Sequence, residues 1–337
     1  MCRRQARLKS LVVTWFMVLA CVVALPIYAT PSFERHESVL AEQSQDITLP
    51  IEQRIAATQM LGNYTGANAI IAIGRASRSA TLELRLASIY ATQRWQGRAK
   101  WDVVAPLLND DAPEVQALAV RTLAPLWRQV PERYRQILNP AIDDQLMKVQ
   151  DTANGRLDTA WFYRMRQQYT EAEQLLLLET ELNNQPNVVM ALAALYQDTK
   201  QESRSLDVLE QGVSSYPDSS MLHQRLALTY WRTQQYSAAI EHMQVAYQIE
   251  IESAAHAYLL GLMLAKQQPE QAIGLFEKAY GQQAEPQYLY SLCETKLALT
   301  AESAACLNEL SKWYPEPALR ALTEKYDHSK LSLAEDR

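Results

Sequence analysis

The chain has 337 residues, of which 48% are hydrophobic and 21% charged, and its formal net charge at pH 7 is −6. It contains only nine glycines, whereas glycine is roughly 7% of an average protein. So few tight-turn residues disfavour β-rich folds and glycine-looped nucleotide folds, and the composition excludes collagen-like, disordered and disulfide-scaffold classes.

The first 29 residues have the organisation of a secretory signal peptide. Basic residues without acids precede a largely apolar run over 11–25, and Ala29 supplies a small residue before a cleavage site. The run approaches the ~20 residues that span a bilayer, so an uncleaved anchor over residues 10–29 is the alternative. In both cases the basic flank stays in the cytoplasm. We therefore expect a periplasmic or exported protein, soluble after cleavage or tethered to the inner membrane.

The body of the chain is acidic, because removal of the leader lowers the net charge to −10. It also lacks a basic stripe with interleaved aromatic residues, so we expect no nucleic-acid binding. Residues 30–49 are polar and acidic, and we expect them to form a linker.

Residues 50–150 have a helical pattern of their own. Asp111 is placed to cap a helix whose first turn contains Pro113. The following apolar residues, Val115, Leu118, Ala119 and Leu123, form one stripe at helical spacing. The segment 107–123 resembles a HEAT-type repeat, and residues 71–90 show a weaker match to the same pattern. We expect two HEAT-like helix pairs.

The second half of the chain is periodic. Small residues recur at spacings of 33 or 34 residues in two series. The first series is Ala160, Ala193, Ala227 and Gly261, and the second is Ala172, Ser205, Ala239, Ala272 and Ala305. A tyrosine follows each of the first three members of the first series by three residues. Small side chains at both series would let two helices of one unit approach closely.

This pattern resembles the tetratricopeptide repeat, most clearly at Leu226-Ala227, Tyr230, Ala239 and Ala246. The resemblance implies five units over 153–317, followed by a capping helix and tail over 318–337. The expected fold is all-α, a right-handed α-solenoid of HEAT-like and then tetratricopeptide repeats. The order of repeats also resembles the C-terminal half of exported multihaem cytochromes, whose CxxCH haem sites this chain lacks. That resemblance implies an alternative role as an accessory factor for periplasmic cytochrome c assembly or electron transfer.

Cys293 and Cys306 are the two cysteines outside the leader. They fall at or next to positions where paired helices touch, so they form either a disulfide or two buried thiols. No zinc-ligand spacing and no HExxH, GxSxG, GxGxxG or Walker motif is present. We therefore expect no metal, no cofactor and no enzymatic activity, and an envelope enzyme is the disfavoured alternative.

The repeat register predicts which side chains face the concave surface lined by the first helix of each unit. The candidate partner-binding residues are Trp161, Arg164, Met165, Met190, Gln197, Gln224, Leu228, Trp231, Arg232 and Lys266. Trp and Arg are enriched at binding hot spots. The pattern thus predicts a scaffold that binds a protein or peptide partner in the cell envelope, and packing between helices is the alternative role for these side chains.

Overall fold

The computed structural model describes residues 31–149, 154–299 and 302–326, which are helical with connecting turns and no strand. The predicted signal peptide or anchor and most of the predicted tail lie outside the described residues. Within these ranges, no helix has the length and apolar character needed to cross a bilayer.

Seven helices make up the N-terminal part. They are α1 (Pro31–Gln45), α2 (Ile51–Met60), α3 (Ala67–Ala76), α4 (Leu82–Ala91), α5 (Arg98–Val104), α6 (Pro113–Leu123) and α7 (Glu132–Val149). Residues 50–149 thus hold six α-helices, more than the four expected from two HEAT-like pairs. Asp110, not Asp111, supports the start of α6, because its carboxylate accepts the Ala112 N–H at 2.9 Å and pairs with Arg85 at 2.8 Å.

Residues 31–45 are a helix where the sequence analysis expected a linker. Leu40 is 4% exposed and packs in the core beside α2 and α3. The buried carboxylate of Glu37 accepts the backbone N–H of Ala69 at 2.8 Å and so satisfies a free donor at the start of α3. A few well-spaced contacts therefore hold a mostly polar helix in place.

Residues 155–299 and 302–310 form five consecutive helix pairs. The pairs are α8 (Gly155–Met165) with α9 (Tyr169–Leu182), α10 (Pro186–Asp198) with α11 (Glu202–Ser215), α12 (Ser220–Arg232) with α13 (Tyr236–Ile249), α14 (Ala254–Leu264) with α15 (Pro269–Gln282), and α16 (Pro286–Ala298) with α17 (Ala304–Leu310). The last helix is α18 (Glu316–Lys325). The predicted all-α fold of repeated helix pairs is confirmed.

The recurring small residues lie where paired helices cross, with the exception of Ala305, which is exposed on α17. Ala193, Ala227, Ala239 and Ala272 are fully buried. A Cβ atom on Gly261 would lie 2.6 Å from the Phe276 ring, so only glycine fits between α14 and α15. The turn inside each of the first three pairs repeats as well, because Gln167, Lys200 and Gln234 all adopt φ values of 60° to 64°. The sequence period is thus a period in both packing and backbone conformation.

Cys293 and Cys306 form a disulfide that joins α16 to α17, with their Cα atoms 5.7 Å apart. Cys293 is fully buried in the core. The seven-residue helix α17 is therefore fixed covalently to its neighbour, just before the turn that contains Trp313.

The two ends of the described chain meet. We call this contact the junction and define it by Ser32, His36 and Tyr64 from the N-terminal part and Ser311, Lys312 and Trp313 from the C-terminal part. The Ser32 hydroxyl donates to the Ser311 carbonyl at 3.0 Å, and the Tyr64 hydroxyl donates to the Lys312 carbonyl at 2.8 Å. Tyr64 and Trp313 are 1% and 8% exposed and belong to one hydrophobic cluster. The helical array therefore closes on itself.

Candidate functional site

Polar side chains connect the first helices of successive pairs. The contacts are Arg164 Nη2 to Asp198 Oδ2 at 2.9 Å, Gln197 Nε2 to Thr229 Oγ1 at 3.0 Å, and His256 Nε2 with Gln224 Oε1 at 3.3 Å. Each joins residues 32 or 34 positions apart, which is one repeat. The predicted register thus places Arg164, Gln197 and Gln224 on a common face.

The helix pairing, the buried small residues and this repeat-to-repeat register have the tetratricopeptide arrangement. The C-terminal part is an α-solenoid of repeated helix pairs, as the resemblance to tetratricopeptide repeats implies. The first helix of each pair carries the candidate binding residues. The neighbours of each of these side chains determine whether it is free to contact a partner.

Trp161 and Arg164 line a cleft of about 190 Å³ between α8 and α10, here called the Trp161 cleft. Leu157 and Trp161 supply apolar surface from α8, and Asn187 and Ala191 supply the opposite wall from α10. Arg121 of α6 also lines the cleft. Trp161 and Arg164, both predicted from the sequence, therefore lie beside two polar or charged side chains from other helices, Arg121 and Asn187.

The guanidinium groups beside Trp161 are already paired with carboxylates. Arg121 lies 5.4 Å from the Trp161 ring centroid and bonds to Asp158 at 2.5 Å. Arg164 is bound to Asp198, and its side chain is only 12% exposed. The pair with Asp158 holds the Arg121 guanidinium beside the Trp161 ring, where a ligand carboxylate or backbone carbonyl can reach it, and the pair with Asp198 holds Arg164 in the cleft wall.

Several other predicted residues are committed to packing. Trp231 is half-buried, with its ring edge-on to Tyr236 at 4.9 Å between centroids. Met165 and Leu228 pack against the main core, and Met190 packs against a smaller cluster that contains Leu226. Their contacts match the packing role that the sequence left open.

Arg232 and Lys266 are the exposed cations among the predicted residues. The Arg232 guanidinium bonds to Glu202 at 2.6 Å, in a pair that is close to half exposed on both sides. Together with the Trp161 cleft, these cations give the first-helix face its accessible positive groups.

Two histidines meet inside the third pair. His223 Nδ1 lies 3.0 Å from His242 Nδ1, and His223 Nε2 lies 2.9 Å from the Pro217 carbonyl. Burial lowers the pKa of His242, and neighbouring His223 lowers it further. Across the described residues, no three His, Cys, Asp or Glu side chains converge to hold a metal ion.

A larger cleft of about 530 Å³ lies beside the junction, and we call it the seam cleft. Gln59, Asn63 and Arg94 line it from the N-terminal helices, while Glu285 and Trp313 line it from the C-terminal part. Arg94 and Glu285 form an ion pair across it. The walls come from both the N-terminal and the C-terminal part, and both the junction and the Arg94–Glu285 pair hold these two parts together at the cleft.

No protein-family model and no curated protein matches this sequence. Among solved structures, it is similar to YrrB, described as a TPR protein with an unusual peptide-binding site, at 14% identity and a TM-score of 0.43 over 55% of this chain and 98% of that one. It is also similar to MamA from Desulfovibrio magneticus RS-1, at 18% identity and a TM-score of 0.41 over 52% of this chain and 98% of the other.

Sequence reasoning missed Arg121 and the junction. Arg121 lies on α6, whose spacing to the repeats follows no period, so no register connects it with Trp161. The repeat register that predicts Met190 on the concave face could also have predicted Asn187, because Asn187 lies one helical turn earlier on α10.

Proposed function

We propose that the protein is an exported, non-catalytic scaffold that binds a protein or peptide partner on the first-helix face, centred on the Trp161 cleft. The observation that carries this proposal is the juxtaposition of the half-buried Trp161 ring with the Arg121 and Arg164 guanidinium groups. Aromatic and arginine side chains in this arrangement offer contact area together with directional bonds to a ligand's oxygens.

The polar contacts between repeats favour such a role energetically. Arg164, Gln197 and Gln224 are each held by the next repeat before any partner arrives. A surface that is already ordered loses little conformational entropy on association, so more of the contact energy contributes to affinity.

The proposed location rests on the basic, apolar and small-residue order of the first 29 residues. The proposed non-catalytic role rests on the lack of a recognisable catalytic motif in the sequence. We further propose that the partner resides in the cell envelope. The accessory role in cytochrome c assembly stays a prediction from the order of the repeats.

Site-specific cross-linking tests the proposal. A photoreactive amino acid at Asn187, on the wall of the Trp161 cleft, should give a discrete cross-linked species in envelope fractions. The same group at the exposed Ser203 of α11 is the matched control and should not. Adding Trp161→Ala and Arg164→Ala should abolish the Asn187 product while helicity is kept, and an undiminished product would exclude this cleft.

Two further readouts extend the test. Arg320→Ala, which removes a cation paired within α18, should leave the cross-linked product unchanged. The double variant Trp231→Ala, Arg232→Ala examines the same face two repeats away and should weaken the product if the partner spans several units. Haem staining of the cross-linked species separates the cytochrome accessory role from a general scaffold.

A further inference from the structure

The junction contains a titratable group at its centre. His36 Nδ1 lies 2.6 Å from the Tyr64 hydroxyl oxygen, and the His36 ring stands edge-on to Trp313 with 4.9 Å between centroids. The Trp313 ring also stacks on Tyr64. One imidazole therefore contacts both the N-terminal and the C-terminal side of the closure.

The hydrogen bonds define the protonation state of the closed junction. Tyr64 has one hydroxyl proton and donates it to the Lys312 carbonyl. Its oxygen can then only accept from His36, so His36 carries its proton on Nδ1. Burial raises the pKa of the Tyr64 phenol, and the nearby Glu37 carboxylate raises it further, so this hydroxyl stays a donor.

A second proton on His36 would place a charge inside this aromatic contact. The charged groups around the ring are Lys312, which follows α17, and Glu309 within α17. Glu37 of α1 raises the pKa of Tyr64, and its carboxylate already accepts the backbone N–H of Ala69. The opposite charges of Lys312 and Glu309 leave the imidazolium without a dedicated counter-ion.

We propose that the junction is a proton-operated latch, in which neutral His36 holds α1 and Tyr64 against the turn at Ser311–Trp313 and protonated His36 releases them. Release would move Trp313 away from the seam cleft and leave the Arg94–Glu285 pair as the contact across it, so the latch also changes the shape of that cleft. The junction suits such a role because it joins the chain ends without a covalent link.

The direction of the pH effect follows from the folded-state pKa. Burial, partly opposed by a hydrogen bond to the Lys312 backbone, lowers the pKa of His36 below its ordinary value of 6.5. The open form therefore binds the proton more readily than the closed form. Closure is at full strength above pH 6.5 and weakens as the pH falls from there through the lowered pKa.

Hydrogen exchange of the full chain between about pH 8 and pH 5 tests the latch, with protection factors that remove the intrinsic pH dependence of exchange. In the wild type, protection at residues 311–313 should fall severalfold on acidification, while protection in α10 and α11, which contain no histidine, changes less. X-ray scattering should show a parallel increase in the radius of gyration.

Three variants make the result specific to His36. His36→Gln keeps an N–H donor for Tyr64 but cannot be protonated, so the junction should stay protected at low pH. His36→Arg carries a permanent charge and should show the open pattern already at neutral pH. His242→Gln, which alters a histidine within the repeats, should retain the wild-type transition. An acid-induced loss that persists in His36→Gln, or its absence from the wild type, would overturn the proposal.

Discussion

The Tyr64 hydroxyl donates a 2.8 Å hydrogen bond to the Lys312 carbonyl, 248 residues further along the chain. This bond joins the first and last parts of the array and gives His36 an acceptor at the same time. An α-solenoid normally contacts only neighbouring repeats, so its ends are independent. Here the two ends stabilise each other, so a destabilising substitution at one end should also lower the stability of the other.

Tyr64→Phe should loosen the junction without disturbing the repeats. The change removes the Tyr64 donor to the Lys312 carbonyl and the oxygen that faces His36 Nδ1, at a half-buried site, which costs about 1–3 kcal/mol. We expect faster hydrogen exchange at residues 311–313 and a lower thermal midpoint. Tyr90→Phe, at an exposed tyrosine beside the seam cleft, is the control and should behave as wild type.

Gly62→Ala should destabilise the N-terminal half, because a Cβ atom there would lie 2.2 Å from the Ala91 carbonyl oxygen. Backbone atoms must shift to relieve such an overlap, at a cost of about 1–3 kcal/mol. Gly274→Ala is the matched control, since open space surrounds its Cβ position within α15. It should stabilise the protein by about 0.5–1 kcal/mol through helix propensity. Denaturant unfolding of both variants checks the contrast, and equal effects would contradict it.

The repeats were predictable from the sequence because a local requirement recurs. Wherever two helices cross closely, a small residue such as Ala227 or Gly261 is needed. The regular sequence spacing of these small residues therefore predicts where the helices pack. The same register predicts a common face for the first helices, and Arg164 and Asp198 on that face are in contact between α8 and α10.

The helix α1 and the junction were not predictable in this way. Helix α1 contains few apolar residues, and its position depends on contacts such as Leu40 in the core and Glu37 at α3. Whether Ser32 reaches Ser311 depends on the summed geometry of every intervening helix. No pattern within a short window encodes that sum.

Reduction of the Cys293–Cys306 disulfide should lower stability and act on the junction as well. The bond closes a short loop worth about 3 kcal/mol in the chain-entropy model, and it fixes α17 just before Trp313. A reductant should lower the thermal midpoint and raise exchange at residues 311–313. Cys306→Ser should show the same loss and then be insensitive to the reductant. A wild type that is unaffected by reductant would show that the disulfide does not support closure.

The Arg164–Asp198 pair should show measurable coupling between repeats. Arg164 is 12% exposed and Asp198 is 30% exposed, so water screens their attraction only in part. A double-mutant cycle with alanine should give about 1–2 kcal/mol of interaction free energy. The same cycle on Arg98 and Asp102, which are 84% and 55% exposed, should give about 0.5 kcal/mol or less. Similar values for the two pairs would argue against a role for Arg164 in ordering the face.

The Tyr230 phenol should lose its proton at a higher pH than an ordinary tyrosine, and its ionisation should lower the stability of the third helix pair at alkaline pH. Burial raises the pKa of its phenol to about 12, helped by the 2.6 Å hydrogen bond that its hydroxyl donates to Glu210. The folded state therefore holds this proton more tightly than the unfolded chain, whose tyrosine pKa is 10.0. Stability from Tyr230 is complete below pH 10 and is lost as the pH rises through about 12. Ultraviolet titration of Tyr230→Phe should lack the late step of this one phenol, while other buried phenols such as Tyr64 still titrate late. In Glu210→Gln that step should move to lower pH but stay above 10, because burial remains the larger cause.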